Sequence, residues 1–372
     1  MISSLRQGVF KFNTPVALMV LLCVAVLTFF PVLNNGFTNW DDDLILTDNP
    51  VIKTLSLKNV YRIFSEPCNF EYRPFLYLLL SIEYSFVKLN PVLYHLTSLL
   101  FHLLNCVLAF YFIYLVTHKN VVVAFIAGIL FAVHPVQVQS VAWISGRDDV
   151  MYFAFYMLSL IFYVKYLEAD NKKYYLLAIL SFICSMLSKT LAMTLPVMLL
   201  LVCFFLKKKV TWQDLVKTLP FWVMDIILCY IALTVSTLQM PAMQYWFDTK
   251  IMSTFDELVF YMYKLFYPID FSYLYFDYRV LSSPYLSLLL VVSMLGIVWY
   301  TRKFTDKVVF GMLWFLLTIL PLLKIMTSRP VCDHRLYLSS LGIFYIAGEV
   351  FFWVFKKTGV ISAYKEKGQA GA

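Results

Sequence analysis

A helix that crosses a bilayer needs ~20 mainly apolar residues, because the lipid offers its backbone no hydrogen bonds. Ten stretches of this chain are read as such helices, at about 15–33, 91–116, 121–137, 150–167, 174–187, 191–206, 220–238, 284–300, 308–323 and 336–355. Composition agrees: 61% of the 372 residues are apolar and 14% are charged, whereas a soluble domain carries about 25% charged residues. The 34 Phe and 26 Tyr suit buried helices with aromatic belts at the interfaces. No small-residue cleavage site follows the first segment, so it reads as a retained helix. The expected fold is all-α and polytopic, a single membrane domain over residues 1–357 with a short cytoplasmic tail at 358–372.

The short loops "HKN" (118–120), "NKK" (171–173), "KKK" (207–209), "RK" (302–303) and "KK" (356–357) are basic and therefore expected in the cytoplasm, in agreement with Arg6 and Lys11. The outer side then receives two long loops, 34–90 and 239–283, and the shorter 138–149, 188–190 and 324–335, which together hold most of the 22 acidic residues. "FLYLLLSIEYSFV" (75–87) is too short to span and carries Glu83, so it is expected to be interfacial or re-entrant. Two amphipathic helices are expected to lie flat in the outer interface as a floor. One is "SLKNVYRIFSE" (56–66), with Leu57, Val60 and Phe64 on one face and Ser56 as cap; the other is "FDELVFYMYKLFY" (255–267). The net charge of +8 is spread over cytoplasmic loops, fits contact with anionic lipid and forms no stripe that suggests nucleic acid. Of the seven cysteines, Cys23, Cys106, Cys184, Cys203 and Cys229 read as packing residues. Cys68 and Cys332 fall in outer loops, where a disulfide is one alternative.

Four outer stretches carry the chemistry. "NWDDDLILTDNP" (39–50) holds Asp41, Asp42, Asp43 and Asp48. A carboxylate partly shielded from water is a stronger base, since desolvation raises its pKa; Asp48 reads as turn chemistry instead. "FAVHPVQVQSVAWISGRDDV" (131–150) offers Arg147, whose guanidinium suits a phosphate, with Asp148 and Asp149 beside it and His134 as either ligand or packing residue. "SKTLAMTLP" (188–196) places Lys189 between apolar helices, where it needs an anionic partner or must snorkel. "SRPVCDHRLYLSSLG" (328–342) gathers Arg329, Asp333, His334 and Arg335, which fit an anionic ligand or pair with one another. No zinc-type His/Cys spacing, P-loop, GxGxxG or GxSxG occurs. The chain also has no room for the soluble α/β domain a nucleotide-sugar enzyme would use.

In order along the chain, "FTNWDDDLILTDNPVI", "YRPFLYLLLSIEY", "YHLTSLLFHLLN", "AFIAGILFAVHPVQVQSVAWISGRDD", "SKTLAMTLPVMLLL", "LWFLLTILPLL" and "DHRLYLSSLG" resemble the membrane domain of the transmembrane O-mannosyltransferases that target cadherins, and their bacterial relatives, within the GT-C glycosyltransferase superfamily. The resemblance runs from residue 15 to 355. It implies a GT-C-like bundle and inverting transfer from a polyprenyl-phosphate sugar to an acceptor hydroxyl of a protein or glycan. Asp41 and Asp42 match the acids that supply the catalytic base. Arg147 and Asp149 match a "GR" motif and the acid that follows it, Lys189 the lysine of a Lys-Glu pair, and Arg335 the arginine of an Asp-Arg-x-Leu-Tyr pattern; these, with His134 from the reading above, are the residues expected to bind the donor. A divalent metal is compatible with this chemistry but nothing in the chain calls for one. Thr190 stands where the resemblance expects a glutamate partner for Lys189. The tetratricopeptide repeats expected after the membrane domain are missing, which points to a bacterial protein of the inner membrane with its site on the extracytoplasmic face. Two other readings stay open: a transferase acting on a lipid or growing glycan, and a non-catalytic polyprenyl-lipid transporter or scaffold. A transporter would hold ionisable groups near the midplane, whereas here most sit at helix mouths, with Asp225 and Glu349 the main exceptions.

Overall fold

The computed structural model describes residues 13–66, 72–235, 247–326 and 330–357. Arg6, Lys11, Cys68, Arg329 and the tail 358–372 lie outside them, and so do the expectations placed there. The chain forms fourteen α-helices among the described residues: α1 Thr14–Phe29, α2 Leu57–Ser65, α3 Pro74–Val87, α4 Pro91–Val116, α5 Val121–Val133, α6 Val138–Ala142, α7 Asp148–Ala169, α8 Lys172–Ser188, α9 Leu195–Lys207, α10 Trp212–Val235, α11 Phe247–Phe266, α12 Pro284–Thr301, α13 Lys307–Ile319 and α14 Leu336–Lys357. An isolated antiparallel bridge between Tyr275 and Val331 is the extent of β pairing among them.

The basic loops are tight helix-to-helix turns. Between α4 and α5, His118 and Lys119 take left-handed backbone angles, and Asn120 then caps α5 by accepting from the Val122 and Val123 amides. Asp170 and Lys208 turn the chain left-handedly at the α7–α8 and α9–α10 corners, and Asn171 caps α8. Ion pairs of Lys207 with Asp214, Lys208 with Asp306 and Lys307 with Glu349 knit these corners at one end of the bundle. Because each hairpin reverses direction there, the C-terminal ends of α1, α5, α8 and α13 and the N-terminal ends of α4, α7, α9 and α14 meet at the opposite end.

Each of the ten predicted segments falls on a helix among the described residues. Seven helices among those residues are long and apolar enough to cross a membrane, and an eighth if α5 and the 135–142 turn, bent by 55°, form one broken span. α8, of 17 residues, and α13, which with its terminal turn reaches Leu322, are shorter, yet both run between the same two ends of the bundle as the longer helices. The chain is an integral, multi-pass membrane protein.

The two expected interfacial helices also bury faces that their apolar pattern does not mark. In α2, Ser56 does cap, accepting from the Asn59 amide at 3.2 Å, but the buried residue is Ile63, while Leu57 is 91% exposed. The buried face is set by a small second core of Ile45, Leu46, Ile52, Leu76, Tyr77 and Leu80. α11 is buried on its polar side as well: Asp256, Glu257 and Lys264 are all inaccessible because each has a partner, Asp256 accepting from Ser287 Oγ at 2.6 Å. Cys332 is buried, with its thiol toward the Pro330 carbonyl.

α13 and α14 cross where two glycines meet. A Cβ on Gly342 would stand 2.3 Å from the Gly311 carbonyl oxygen, and one on Gly311 would stand 2.5 Å from that of Gly342. Small residues allow this backbone approach, which is how helices associate without a hydrophobic drive. Gly342→Ala should therefore force the helices apart and cost about 1–3 kcal/mol, read as a lower melting temperature in detergent. Gly296→Ala on α12, where a Cβ meets nothing within 4 Å, should melt unchanged.

Candidate active site

At the end opposite the basic turns lies a cavity of about 630 Å³. Its lining divides chemically into a charged set, Asp41, Arg73, Asp148, Asp149, Lys189 and Arg335, and an apolar set that includes Leu191, Met193, Ala232, Leu233 and Leu322. Four candidates from the sequence, Asp41, Asp149, Lys189 and Arg335, thus share one chamber.

Lys189 follows the last turn of α8 in extended backbone. Its ammonium donates to Asp149 Oδ1 at 2.7 Å and lies 3.3 Å from Asp148 Oδ1. These acids open α7, where the free amides and the helix dipole favour negative charge. Arg73 donates to the other oxygen of Asp148 at 2.9 Å. Arg73, Asp148, Lys189 and Asp149 therefore form a chain of alternating charges, and the acid pair takes the place of the glutamate absent at Thr190. Arg335, at the mouth of α14, pairs with the buried Glu257 of α11 at 3.1 Å and also donates to the Leu322 carbonyl. Lys324 adds its amide to Glu257 at 2.7 Å.

Asp41 and Asp42 part company. Asp42 is 1% exposed, and both its oxygens are occupied. One accepts from the Thr38 amide and hydroxyl at 2.9 and 3.0 Å, the other from the Ser145 amide at 3.0 Å and its hydroxyl. It ties the first long loop to the turn before α7 and has no oxygen left for a substrate proton. Asp41 is half-buried at the cavity, where burial raises its proton affinity above the usual carboxylate range and nearby Arg73 and a hydrogen bond from Tyr273 oppose the rise. The Tyr273 hydroxyl reaches Asp41 Oδ2 at 3.4 Å. Asp43 accepts from the adjacent Leu44 amide and starts a π-helical turn, Asp43–Thr47. Asp48 lies at its end.

Two expectations change. Arg147 does not line the cavity: it is fully buried, pairs with Glu83 of α3, and donates to Ser98 Oγ at 3.0 Å and to the Tyr94 carbonyl. Its hydrogen bonds join α3 and α4 to the start of α7. The short helix α3 is held in place by the same pair. His134 sits at the α5 bend, where Nδ1 accepts from the Val136 amide at 3.2 Å and Nε2 donates to the Leu265 carbonyl at 3.1 Å. Both ring nitrogens are engaged outside the cavity.

Sequence reasoning missed Arg73, Tyr273, Trp143 and Glu257. The signal for Arg73 was present: in "YRPF" it immediately precedes Pro74, the first residue of α3, so it stands at a helix mouth. Among the described residues, no group of three or more His, Cys, Asp and Glu side chains is gathered that would hold a metal ion.

Residues 91–236 match the family model described as dolichyl-phosphate-mannose-protein mannosyltransferase. Protein O-mannosyl-transferase TMTC1 of Homo sapiens is 31% identical over 97 residues, 26% of this chain and 11% of that protein. A protein O-mannosyl-transferase of Caenorhabditis elegans is 30% identical over 177 residues, 44% of this chain and 25% of that protein. TMTC3 of Mus musculus is 27% identical over 143 residues, 37% of this chain and 15% of that protein. The chain covers far less than two thirds of the length of these relatives. Over these residues the chain is similar to the protein O-mannosyl-transferases, a similarity consistent with a relative of the GT-C superfamily.

Proposed function

We propose that the protein is an inverting glycosyltransferase that moves a sugar from a polyprenyl-phosphate donor to an acceptor hydroxyl on the extracytoplasmic face of the membrane. The observation that carries this reading is one cavity holding a half-buried carboxylate, Asp41, together with the cations Lys189 and Arg335. In the reaction, the acceptor hydroxyl gives its proton to Asp41 as its oxygen bonds to the anomeric carbon. The carbon–oxygen bond to phosphate breaks in the same displacement, and the leaving polyprenyl phosphate keeps the electron pair. Lys189, Arg335 and Arg73 meet the negative charge that develops there, so the reading routes no step through a metal. The apolar lining of Leu191, Met193, Ala232 and Leu233 suits the prenyl chain. The similarity to protein O-mannosyl-transferases favours mannose as the sugar and a protein hydroxyl as the acceptor over a lipid or glycan. The basic turns at the far end, which the positive-inside rule assigns to the cytoplasm, support this choice of face.

The test is transfer from purified polyprenyl-phosphate mannose by the protein in nanodiscs. Lys189→Gln and Arg335→Gln should each raise the donor KM by about tenfold or more, the scale of one hydrogen bond to a charged group. Melting curves on the same samples separate lost binding from lost fold. A donor KM unchanged in both variants would take the phosphate out of this cavity.

A further inference from the structure

The loop between α11 and α12 carries Tyr273 to Asp41 and is pinned at three places. Lys264, on the last turns of α11, is buried and folds back to donate to the Ile269 and Asp270 carbonyls at 2.6 and 2.7 Å. Its ammonium also sits 4.8–5.4 Å from the rings of Phe260, Phe271 and Tyr275, a favourable cation–π setting. Next, the Tyr275 hydroxyl donates to Asp333 Oδ2 at 2.7 Å, and the Tyr275 amide donates to the Val331 carbonyl at 3.0 Å. The third pin is Gln139, which donates to the Tyr273 carbonyl at 3.2 Å and accepts from the His334 amide at 3.0 Å. Between these pins the Tyr273 ring stacks on Trp40 with centroids 3.9 Å apart and meets the Trp143 ring edge-on at 5.2 Å.

Lys264 and Asp333 stand near the cavity's rim, yet neither contributes to its lining, whereas Tyr273 does. We propose that Tyr273 is a positioning residue for Asp41, and that Lys264 and Asp333 hold Tyr273 in place instead of binding substrate. The inference rests on Asp41 being the acceptor base. Tyr273 engages Asp41 Oδ2, so Oδ1 is the oxygen that receives the acceptor proton. The groups facing Asp41 are Arg73 from the start of α3, Tyr273 from this loop, and Asp42 and Asp43 from its own segment. Of these, Arg73 and Tyr273 favour the ionised form and the two acids oppose it.

The experiment is the pH profile of kcat/KM in nanodiscs with polyprenyl-phosphate mannose. Tyr273→Phe keeps the ring and its stack but removes the hydroxyl. Asp41 then binds its proton more tightly, and the acidic limb should move up by about one pH unit, with activity recovering at high pH and the donor KM unchanged. Lys264→Met and Asp333→Asn should move the same limb in the same direction. Neither should add to the shift in a double variant with Tyr273→Phe, because both act through its hydroxyl. An unmoved limb in Tyr273→Phe, alongside an inactive Asp41→Asn, overturns the inference and leaves Asp41 as base. Additive shifts overturn the part given to Lys264 and Asp333. Full activity in Asp41→Asn sinks the underlying reading instead. Melting curves identify a variant that fails to fold, and Tyr273→Phe then decides on its own.

Discussion

Asp41→Asn should lose ~10²–10⁴-fold in the rate of sugar transfer, the usual cost of removing a general base, while donor binding survives. The substitution keeps the size of the side chain and its capacity to accept from Tyr273, so the change isolates basicity. The proposed donor contacts lie on other elements, on Lys189 after α8 and Arg335 at the mouth of α14, which is why affinity for the lipid should persist. Asp43→Asn and Asp48→Asn should keep most activity, because Asp43 serves its own helical turn and Asp48 is exposed at the end of that turn. Asp42→Ala should fail for a different reason: it frees the first loop from Ser145 and displaces Asp41, so its loss should come with a lower melting temperature. Single-variant kinetics with calorimetry or fluorescence melting separate the two cases. Normal transfer by Asp41→Asn would leave Asp149 as the next acid to test.

Arg147→Ala should be the most destabilising single change at this end of the bundle. It strands Glu83 inside the protein without its counter-charge, and breaking a buried pair from one side costs about 3–5 kcal/mol. It also leaves the Ser98 hydroxyl and the Tyr94 carbonyl without their donor. The double variant Glu83→Gln/Arg147→Gln removes both charges and should regain much of the loss. If Arg147 bound the donor phosphate, the double variant would instead remain defective in donor KM after its fold had recovered, and that measurement discriminates the two roles.

Periodicity made the helices readable because a lipid-exposed or core-buried helix must be apolar along its whole length. The extent of each helix was less legible: nothing in "KKYYLLAILSFICSMLS" marks where α8 ends, since its end is set by where Lys189 leaves the helix to meet Asp148 and Asp149. Site residues were legible where charge falls at a helix mouth, as at Lys189, Asp149 and Arg335. Charge alone does not say which way a side chain faces. Arg147 and Arg335 look alike in sequence, yet one turns to Glu83 inside the packing and the other to the cavity rim. The same limit hid Glu257 and Lys264, because an amphipathic pattern reads charged residues as the solvent face, and here that face is covered. Tyr273 carries no sequence signal at all; its role depends on a loop pinned by residues 139, 264 and 333, which come together only in the fold.

The alternating chain through Arg73, Asp148, Lys189 and Asp149 has a bearing on how an anionic ligand arrives. Each cation of the cavity wall already holds a carboxylate: Arg73 and Lys189 hold Asp148 and Asp149, and Arg335 holds Glu257, beside which Lys324 also stands. On the reading proposed above, an arriving phosphate would have to displace a carboxylate from its cation, and the displaced carboxylates, fixed beside those cations, could reclaim them when the phosphate departs.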